Sequence, residues 1–307
     1  MGKAVLLGWS CGSRLDGSDV IDGGGIGLNN LNLARAESTE KMWGDLRRSG
    51  LNQTAKILWG LTEPEPALIG KFLPRMASEE VQKSWTGASG ETLMRQSVDF
   101  LRVVSERYAW FTGSSLQGKK ILDYGCGYGR LLRLLPFFTN IENIYGVDPW
   151  EKAIELCVQD GVPGNLSTIP YLPSSPIGND RFDLIFAFSV FTHTSERATR
   201  AGLLTMLESL TPGGVGVITI RPRNYWTICP NAVSLGQVAQ LETEYDSSGF
   251  SFLPHLREAV DGDVTYGDTV VAAEWLERNI EGLEILGTDI SSSDTHQQYL
   301  FFQAQKD

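Results

Sequence analysis

Between residues 117 and 304, short apolar runs alternate with longer stretches whose apolar residues recur every three or four positions. The runs Ile121-Leu122, Asn143-Ile-Tyr-Gly-Val-Asp148, Phe182-Asp-Leu-Ile-Phe-Ala-Phe188 and Leu210-Thr-Pro-Gly-Gly-Val-Gly-Val-Ile-Thr-Ile220 predict buried strands. A further strand is placed at 164–169, short because prolines surround it at 163, 170, 173 and 176. Helices are predicted over 129–138, with Leu131, Leu132, Leu134 and Leu135, over 151–159, and over 195–210, where Ser195 is a cap and Pro212-Gly-Gly follows the end. Strands and helices alternating in this way force right-handed crossovers and a parallel sheet. A helix over 270–279 and strands over 283–290 and 297–302 complete the chain.

The first hundred residues read differently. Residues 10–32 are rich in Gly, Asn, Asp and Ser, and Asp22-Gly-Gly-Gly-Ile-Gly27 has neither a strand leading in nor an amphipathic helix leading out, so residues 1–37 are expected to be a flexible leader. From 38 to 76 the helical pattern is broken by Pro64, Pro66 and Pro74. After the turn Trp85-Thr-Gly-Ala-Ser-Gly90, a better helix carries Leu93, Phe100, Leu101, Val104, Tyr108 and Phe111. The expected organisation is a leader (1–37), a helical region (38–116) and an α/β domain (117–307) with an insertion at 222–265.

Candidate chemistry concentrates in Lys119-Lys-Ile-Leu-Asp-Tyr-Gly-Cys-Gly-Tyr-Gly-Arg130. A strand ends at Asp123, and Gly125, Gly127 and Gly129 follow at alternate positions, where positive φ and close backbone approach to a ligand become possible. A helix starting at Arg130 would add unpaired N–H groups. Asp148 closes the second strand with another carboxylate.

In this order, the four strand motifs resemble those of the class I S-adenosylmethionine-dependent methyltransferases, strongly over 117–221 and loosely over 266–304. The resemblance implies a Rossmann-like seven-stranded sheet, mostly parallel with an antiparallel last strand, an N-terminal helical extension acting as a lid, and S-adenosylmethionine as cofactor. It places Asp123 near the cofactor's amino group and Gly125, Cys126 and Gly127 along its methionine and ribose part. Asp148 is placed on the ribose hydroxyls, where two carboxylate oxygens suit a vicinal diol, and Pro149 and Trp150 by the adenine edge. Phe188 borders the methionine tail. The alternative for Asp148 is a cap for the segment that begins at Pro149. The acidic residue that many relatives carry after the third strand is missing from 167–173, which leaves adenine to backbone groups or to Asn165, Ser167 or Thr168.

Methyl transfer from a sulfonium needs donor and acceptor held in line and water kept out. His193, in Phe191-Thr-His-Thr194, stands at the mouth of the expected cleft as the candidate general base, with His255 in Phe252-Leu-Pro-His255 second. Arg130 has two readings, a cofactor carboxylate or an acid across the loop. No two histidines have metal-ligand spacing, so no metal is expected.

Composition narrows the setting. A net charge of −11 argues against a broad electrostatic grip on nucleic acid, and the aromatic residues of 222–265 favour a small-molecule or saccharide acceptor modified at oxygen or nitrogen. Short strings such as Tyr266-Gly-Asp-Thr269 resemble bacterial methyltransferases that act on surface glycans. Cys11, Cys126, Cys157 and Cys229 are widely spaced, which suits a reducing compartment, and a cytoplasmic enzyme with no membrane partner is expected. No apolar run approaches the ~20 residues of a spanning helix. The sequence leaves the oligomeric state open. Two other classes fit parts of the pattern: a cofactor-binding scaffold without catalysis, and a nicotinamide-dependent oxidoreductase, the latter disfavoured by G-x-G-x-G in place of G-x-G-x-x-G.

Overall fold

The computed structural model describes residues 39–62 and 71–305, so the expectation for a Gly-rich leader over 1–37 falls outside the described residues. Among the described residues four helices come first: α1 (Thr39–Ser49), α2 (Leu51–Leu58), α3 (Glu79–Thr86) and the long α4 (Gly90–Thr112). The alternating domain follows as β1 (Ile121–Tyr124), β2 (Ile144–Asp148), α5 (Glu151–Gln159), β3 (Asn165–Thr168), β4 (Phe182–Ala187), α6 (Glu196–Ser209) and β5 (Leu210–Ile220). After these come α7 (Pro230–Ser234), α8 (Val238–Ser248), β6 (Phe250–Pro254), β7 (Gly267–Val271), α9 (Ala273–Asn279), β8 (Leu283–Ile290) and β9 (Gln298–Ala304).

Seven strands form one sheet in the order β3-β2-β1-β4-β5-β9-β8. The pairs among β1 to β5 are parallel, and β9 runs antiparallel to both neighbours. The order reverses between β1 and β4, and in open α/β sheets ligands bind beyond the carboxyl ends of the strands at such a point.

Period-two alternation sends successive side chains to opposite faces. Ile121, Leu184, Phe186, Val217 and Phe301 pack with α1, α2 and α4 through Trp43, Leu46, Leu58, Phe100 and Val104. Leu122, Ile185, Ala187, Ile218 and Leu300 pack instead against α6 and α9 through Leu203, Met206, Trp275 and Leu276. The N-terminal helices therefore supply one of the two layers that cover the sheet.

Two predicted helices differ in the structure. The segment after the glycine loop is a turn followed by a 3-10 helix, Leu132–Phe137, with Pro136 inside it. Proline lacks the N–H an α-helix needs, and its ring would clash with the carbonyl four residues earlier. The predicted row of free helix N–H groups at Arg130 is accordingly replaced by turn geometry. Near the C-terminal end, Val270 and Val271 belong to β7, paired with Ser251 and Phe250, and α9 begins only at Ala273. Two adjacent β-branched residues suit that pleated pairing.

The insertion at 222–265 shares a small core with β7. Tyr225, Trp226, Cys229, Ala232, Leu241, Leu253 and Val270 form it, and Trp226 Nε1 donates to Ser251 Oγ at 2.8 Å. Backbone bonds from Gly267 N to His193 O and from Thr269 N to Thr192 O, both 2.9 Å, join this unit to the loop after β4.

Candidate active site

The carboxyl end of β1 bends back onto β2. The amides of Gly125 and Cys126 both donate to Val147 O, at 2.8 and 3.0 Å, and the amide of Gly127 donates to Asp148 Oδ2 at 2.9 Å. Gly125 (φ 76) and Gly127 (φ 55) occupy the left-handed region, where an L side chain would be strained. A Cβ on Gly125 would lie 2.5 Å from Val190 Cγ2, so the glycine also lets the loop after β4 close against the loop after β1.

Asp123 is buried, and its carboxylate makes no hydrogen bond among the described residues. Burial pushes its pKa up to about 8, against the opposing charge of Arg130 and with a smaller push from Asp148. A cationic amino group placed here would supply the missing partner, since a buried carboxylate without one is held toward its neutral form.

Asp148 accepts from Trp150 N at 2.8 Å through Oδ1 and from Gly127 N through Oδ2. The Trp150 contact is an Asx turn, while the N-cap position of α5 falls on Trp150 itself, with no side-chain cap hydrogen bond. Each carboxylate oxygen has a second lone pair, and the residue retains capacity for two hydroxyl donors. Burial raises its pKa, and the two amides oppose that.

Aromatic residues surround these carboxylates. Trp150, beyond Pro149, stacks on Trp85 of α3 with centroids 4.5 Å apart, and Trp85 meets Tyr128 edge-on at 5.8 Å. A Cβ on Gly127 would face the same Trp85 ring at 3.7 Å. The α3 segment therefore lies over the glycine loop. Phe188 packs edge-on against Phe100 at 4.7 Å. Arg130 lies over the Phe188 ring at 4.6 Å and donates to Gln96 Oε1 at 2.7 Å. Neither reading of Arg130 anticipated this amide partner from α4.

Cys126 is buried; a hydrogen bond with Cys157, then burial, raises its thiol well above the ordinary range. It is a neutral packing residue whose amide is taken up by Val147 O. Arg133, fully buried, donates to Arg75 O at 2.9 Å, to Asp160 Oδ2 at 3.0 Å and to Tyr128 O. It ties the glycine loop to the N-terminal segment and to the end of α5. Its position in a leucine-rich stretch hides this role from sequence reading.

Asp123, Gly125, Cys126, Gly127, Asp148, Pro149 and Phe188 thus converge at the ends of β1, β2 and β4. His193 belongs to an adjoining polar cluster. Its Nδ1 donates to Gly267 O at 2.8 Å, and its Nε2 accepts from Arg221 at 3.0 Å. Burial, then the Arg221 charge, lowers its pKa to about 3. Arg221 also donates to Asp268 Oδ1 at 2.9 Å and to Thr192 O at 2.8 Å. Tyr225 reaches Asp268 Oδ1 at 3.3 Å, while Asn231 and His255 reach Oδ2 at 3.1 and 2.8 Å. Burial alone would raise the Asp268 pKa, but the hydrogen bond from His255 and the charge of Arg221 hold it well below the usual carboxylate range. The polar residue directly after an apolar strand, Arg221, was the available signal for this cluster.

Among the described residues no group of three or more His, Cys, Asp or Glu could hold a metal ion, and no helix is long and apolar enough to cross a membrane.

The glycine loop and both carboxylates lie within residues 121–214, which match the family model described as "Methyltransferase domain". Curated relatives include the tRNA U34 carboxymethyltransferases of Pseudomonas putida and Pseudomonas fluorescens. The first is 29% identical over 180 residues, 52% of this chain and 53% of that protein. The second is 29% identical over 182 residues, 53% of this chain and 54% of that protein. The chain spans about half the length of these relatives. Among solved structures, an S-adenosylmethionine-dependent methyltransferase from Clostridium acetobutylicum superposes with a TM-score of 0.46 at 14% identity, covering 69% of this chain and 92% of that one. Magnesium protoporphyrin IX methyltransferase from Synechocystis gives 0.43 at 16% identity, covering 70% and 87%.

One expectation is corrected here. Net charge pointed away from nucleic acid and toward a small-molecule or saccharide acceptor, yet both curated relatives are named for a tRNA nucleoside. Net charge sums over the whole surface and does not report the field at one cleft.

Proposed function

We propose that this chain is an S-adenosylmethionine-dependent transferase whose acceptor is a nucleoside in RNA. The observation that carries the cofactor assignment is the unpaired, buried Asp123 beside the Gly127–Asp148 bond. In this reading Asp123 receives the cofactor's ammonium, Asp148 the ribose hydroxyls, and Trp150 with Pro149 the adenine edge. When bound, S-adenosylmethionine supplies an electrophilic methyl carbon. The chain's own part is to orient acceptor and donor and exclude water. His193, with both ring nitrogens engaged, acts as a positioning residue that holds Arg221.

The acceptor assignment rests on the relatives' identity over about half of their length. The test is incubation of the purified chain with methyl-labelled S-adenosylmethionine and bulk bacterial tRNA. Label in nuclease-released nucleosides is expected, and mass spectrometry separates a methyl from a carboxymethyl product. Binding of S-adenosylhomocysteine with no label in any nucleoside would overturn the RNA acceptor while leaving the cofactor site standing.

A further inference from the structure

His255 and Asp268 form a buried-to-open pair in the polar cluster next to the cofactor loop. Asp268 lies on β7 with its side chain 1% exposed, whereas the His255 side chain is 25% exposed. His255 Nε2 is 2.8 Å from Asp268 Oδ2 and 3.1 Å from Asn231 Nδ2. Asn231 Nδ2 also donates to the same Asp268 oxygen at 3.1 Å. A carboxylate only accepts, so the short contact places the proton on His255 Nε2. Nδ1 is then the basic nitrogen, and it makes no hydrogen bond among the described residues. This is the inverse of His193, whose two ring nitrogens are both engaged.

Several features fix the ring. The His255 amide donates to Tyr266 O at 3.1 Å, and its imidazole meets the Tyr266 ring edge-on at 5.4 Å. Tyr266 is itself stacked by His193 at 5.2 Å and overlain by Arg257 at 4.0 Å. A continuous path links the pair to the cofactor loop: Val190 packs on Gly125, Val190 O accepts from His193 N at 2.9 Å, His193 bonds Arg221, and Arg221 bonds Asp268. All of these groups lie past the carboxyl ends of β4 and β5, the edge on which the glycine loop opens.

We propose that His255 is the general base of the transfer, taking the acceptor's proton on Nδ1, with Asp268 as the positioning residue that fixes its tautomer. The proposal rests on the transferase reading above. The acceptor's O–H or N–H bond gives its proton to Nδ1 while the acceptor heteroatom forms its bond to the transferred carbon. The carbon–sulfur electron pair leaves with sulfur as a neutral thioether. The resulting imidazolium faces the Asp268 carboxylate through Nε2–H, and its proton then passes to water. The charged and polar groups around it are Asp268 on β7, Arg221 after β5, His193 in the β4–α6 loop, Asn231 on α7, and Tyr266 with Arg257 in the segment before β7. Arg221 neutralises Asp268 without touching Nδ1, which leaves the pair able to accept one proton.

Two readouts test this on the full chain. The first is the long-range proton–nitrogen NMR spectrum of nitrogen-15-labelled protein, with His255 assigned by its disappearance in His255→Gln. A protonated Nε2 and bare Nδ1 are expected; a protonated Nδ1 would overturn the proposal. The second is single-turnover label transfer to bulk tRNA by wild type, His255→Gln and His255→Ala. Loss of a general base is expected to slow transfer roughly 10²- to 10⁴-fold, with S-adenosylhomocysteine binding unchanged and the Ala variant rescued by added imidazole. Transfer at the wild-type rate by His255→Gln would overturn it, as would slowed transfer that imidazole leaves unmoved in His255→Ala. If wild type itself labels no tRNA, the acceptor reading fails alone, and the tautomer decides for or against His255.

Discussion

The amide of Gly127 donates to Asp148 Oδ2 at 2.9 Å, which makes the loop after β1 and the end of β2 a single ligand-facing unit. Removing the carboxylate should therefore damage the loop and, on the proposed reading, the ribose contact as well. Asp148→Ala is expected to abolish the thermal shift given by S-adenosylhomocysteine, whereas wild type at 100 times the dissociation constant gains about 2.7 kcal/mol. Asp148→Asn keeps part of the loop contact and should retain an intermediate shift. An undiminished shift in Asp148→Ala would remove this residue from the site.

Asp123 gives a pH signature. Its folded-state pKa, about 8, lies above the unfolded value of 3.8, so the folded chain holds the proton more tightly between them. Its contribution without ligand is consequently most favourable below the unfolded pKa and is lost as pH rises toward the folded one. Asp123→Asn should stabilise the unliganded protein at pH 8 by roughly 1 to 3 kcal/mol, the cost of an unsatisfied buried group, and change little at pH 4. The same variant should bind S-adenosylhomocysteine more weakly. Melting curves at the two pH values check the sign.

Trp85 reaches the site from the helical region. With its ring stacked on Trp150 and facing Gly127, Trp85→Ala should weaken S-adenosylhomocysteine binding about five- to tenfold, in line with the ~1 kcal/mol of a stacked pair. Trp85→Phe should recover most of it. Calorimetric titration of both variants measures the difference; equal affinity in wild type and Trp85→Ala would show that α3 covers the loop without contributing to binding.

A packing test lies in the sheet. Gly216 on β5 sits opposite Phe302 on β9, and a Cβ there would fall 2.2 Å from Phe302 Cζ. Gly216→Ala should cost about 1 to 3 kcal/mol by overpacking. Adding Phe302→Leu should return part of that, because the neighbour is a side chain able to shrink. Denaturant midpoints of the single and double variants give the coupling, and additive losses would mean the strand backbone moves instead of the ring.

Much of this was legible along the chain because it is local. The alternation of strands and helices, the glycine loop and the carboxylates at 123 and 148 are set by neighbours a few residues apart, through backbone freedom and side-chain period. Alternation and crossover handedness account for the parallel pairing of β1 to β5, whereas the seven-stranded sheet was implied by the family resemblance. Even so, Pro136 turned a leucine-rich stretch into a 3-10 helix, since a missing N–H outweighs apolar spacing.

Only the tertiary structure decided which distant groups meet. Arg221 and Asp268 are 47 positions apart, Trp85 and Trp150 belong to different elements, and His193 has partners at both ring nitrogens whereas His255 is held through Nε2. No spacing rule encodes such pairs. They form because the insertion packs against the loop after β4, and burial there favours polar groups that meet a partner. The sequence by itself determined where a cofactor loop would stand; the packing of separate segments determined which side chains face it and in what protonation state.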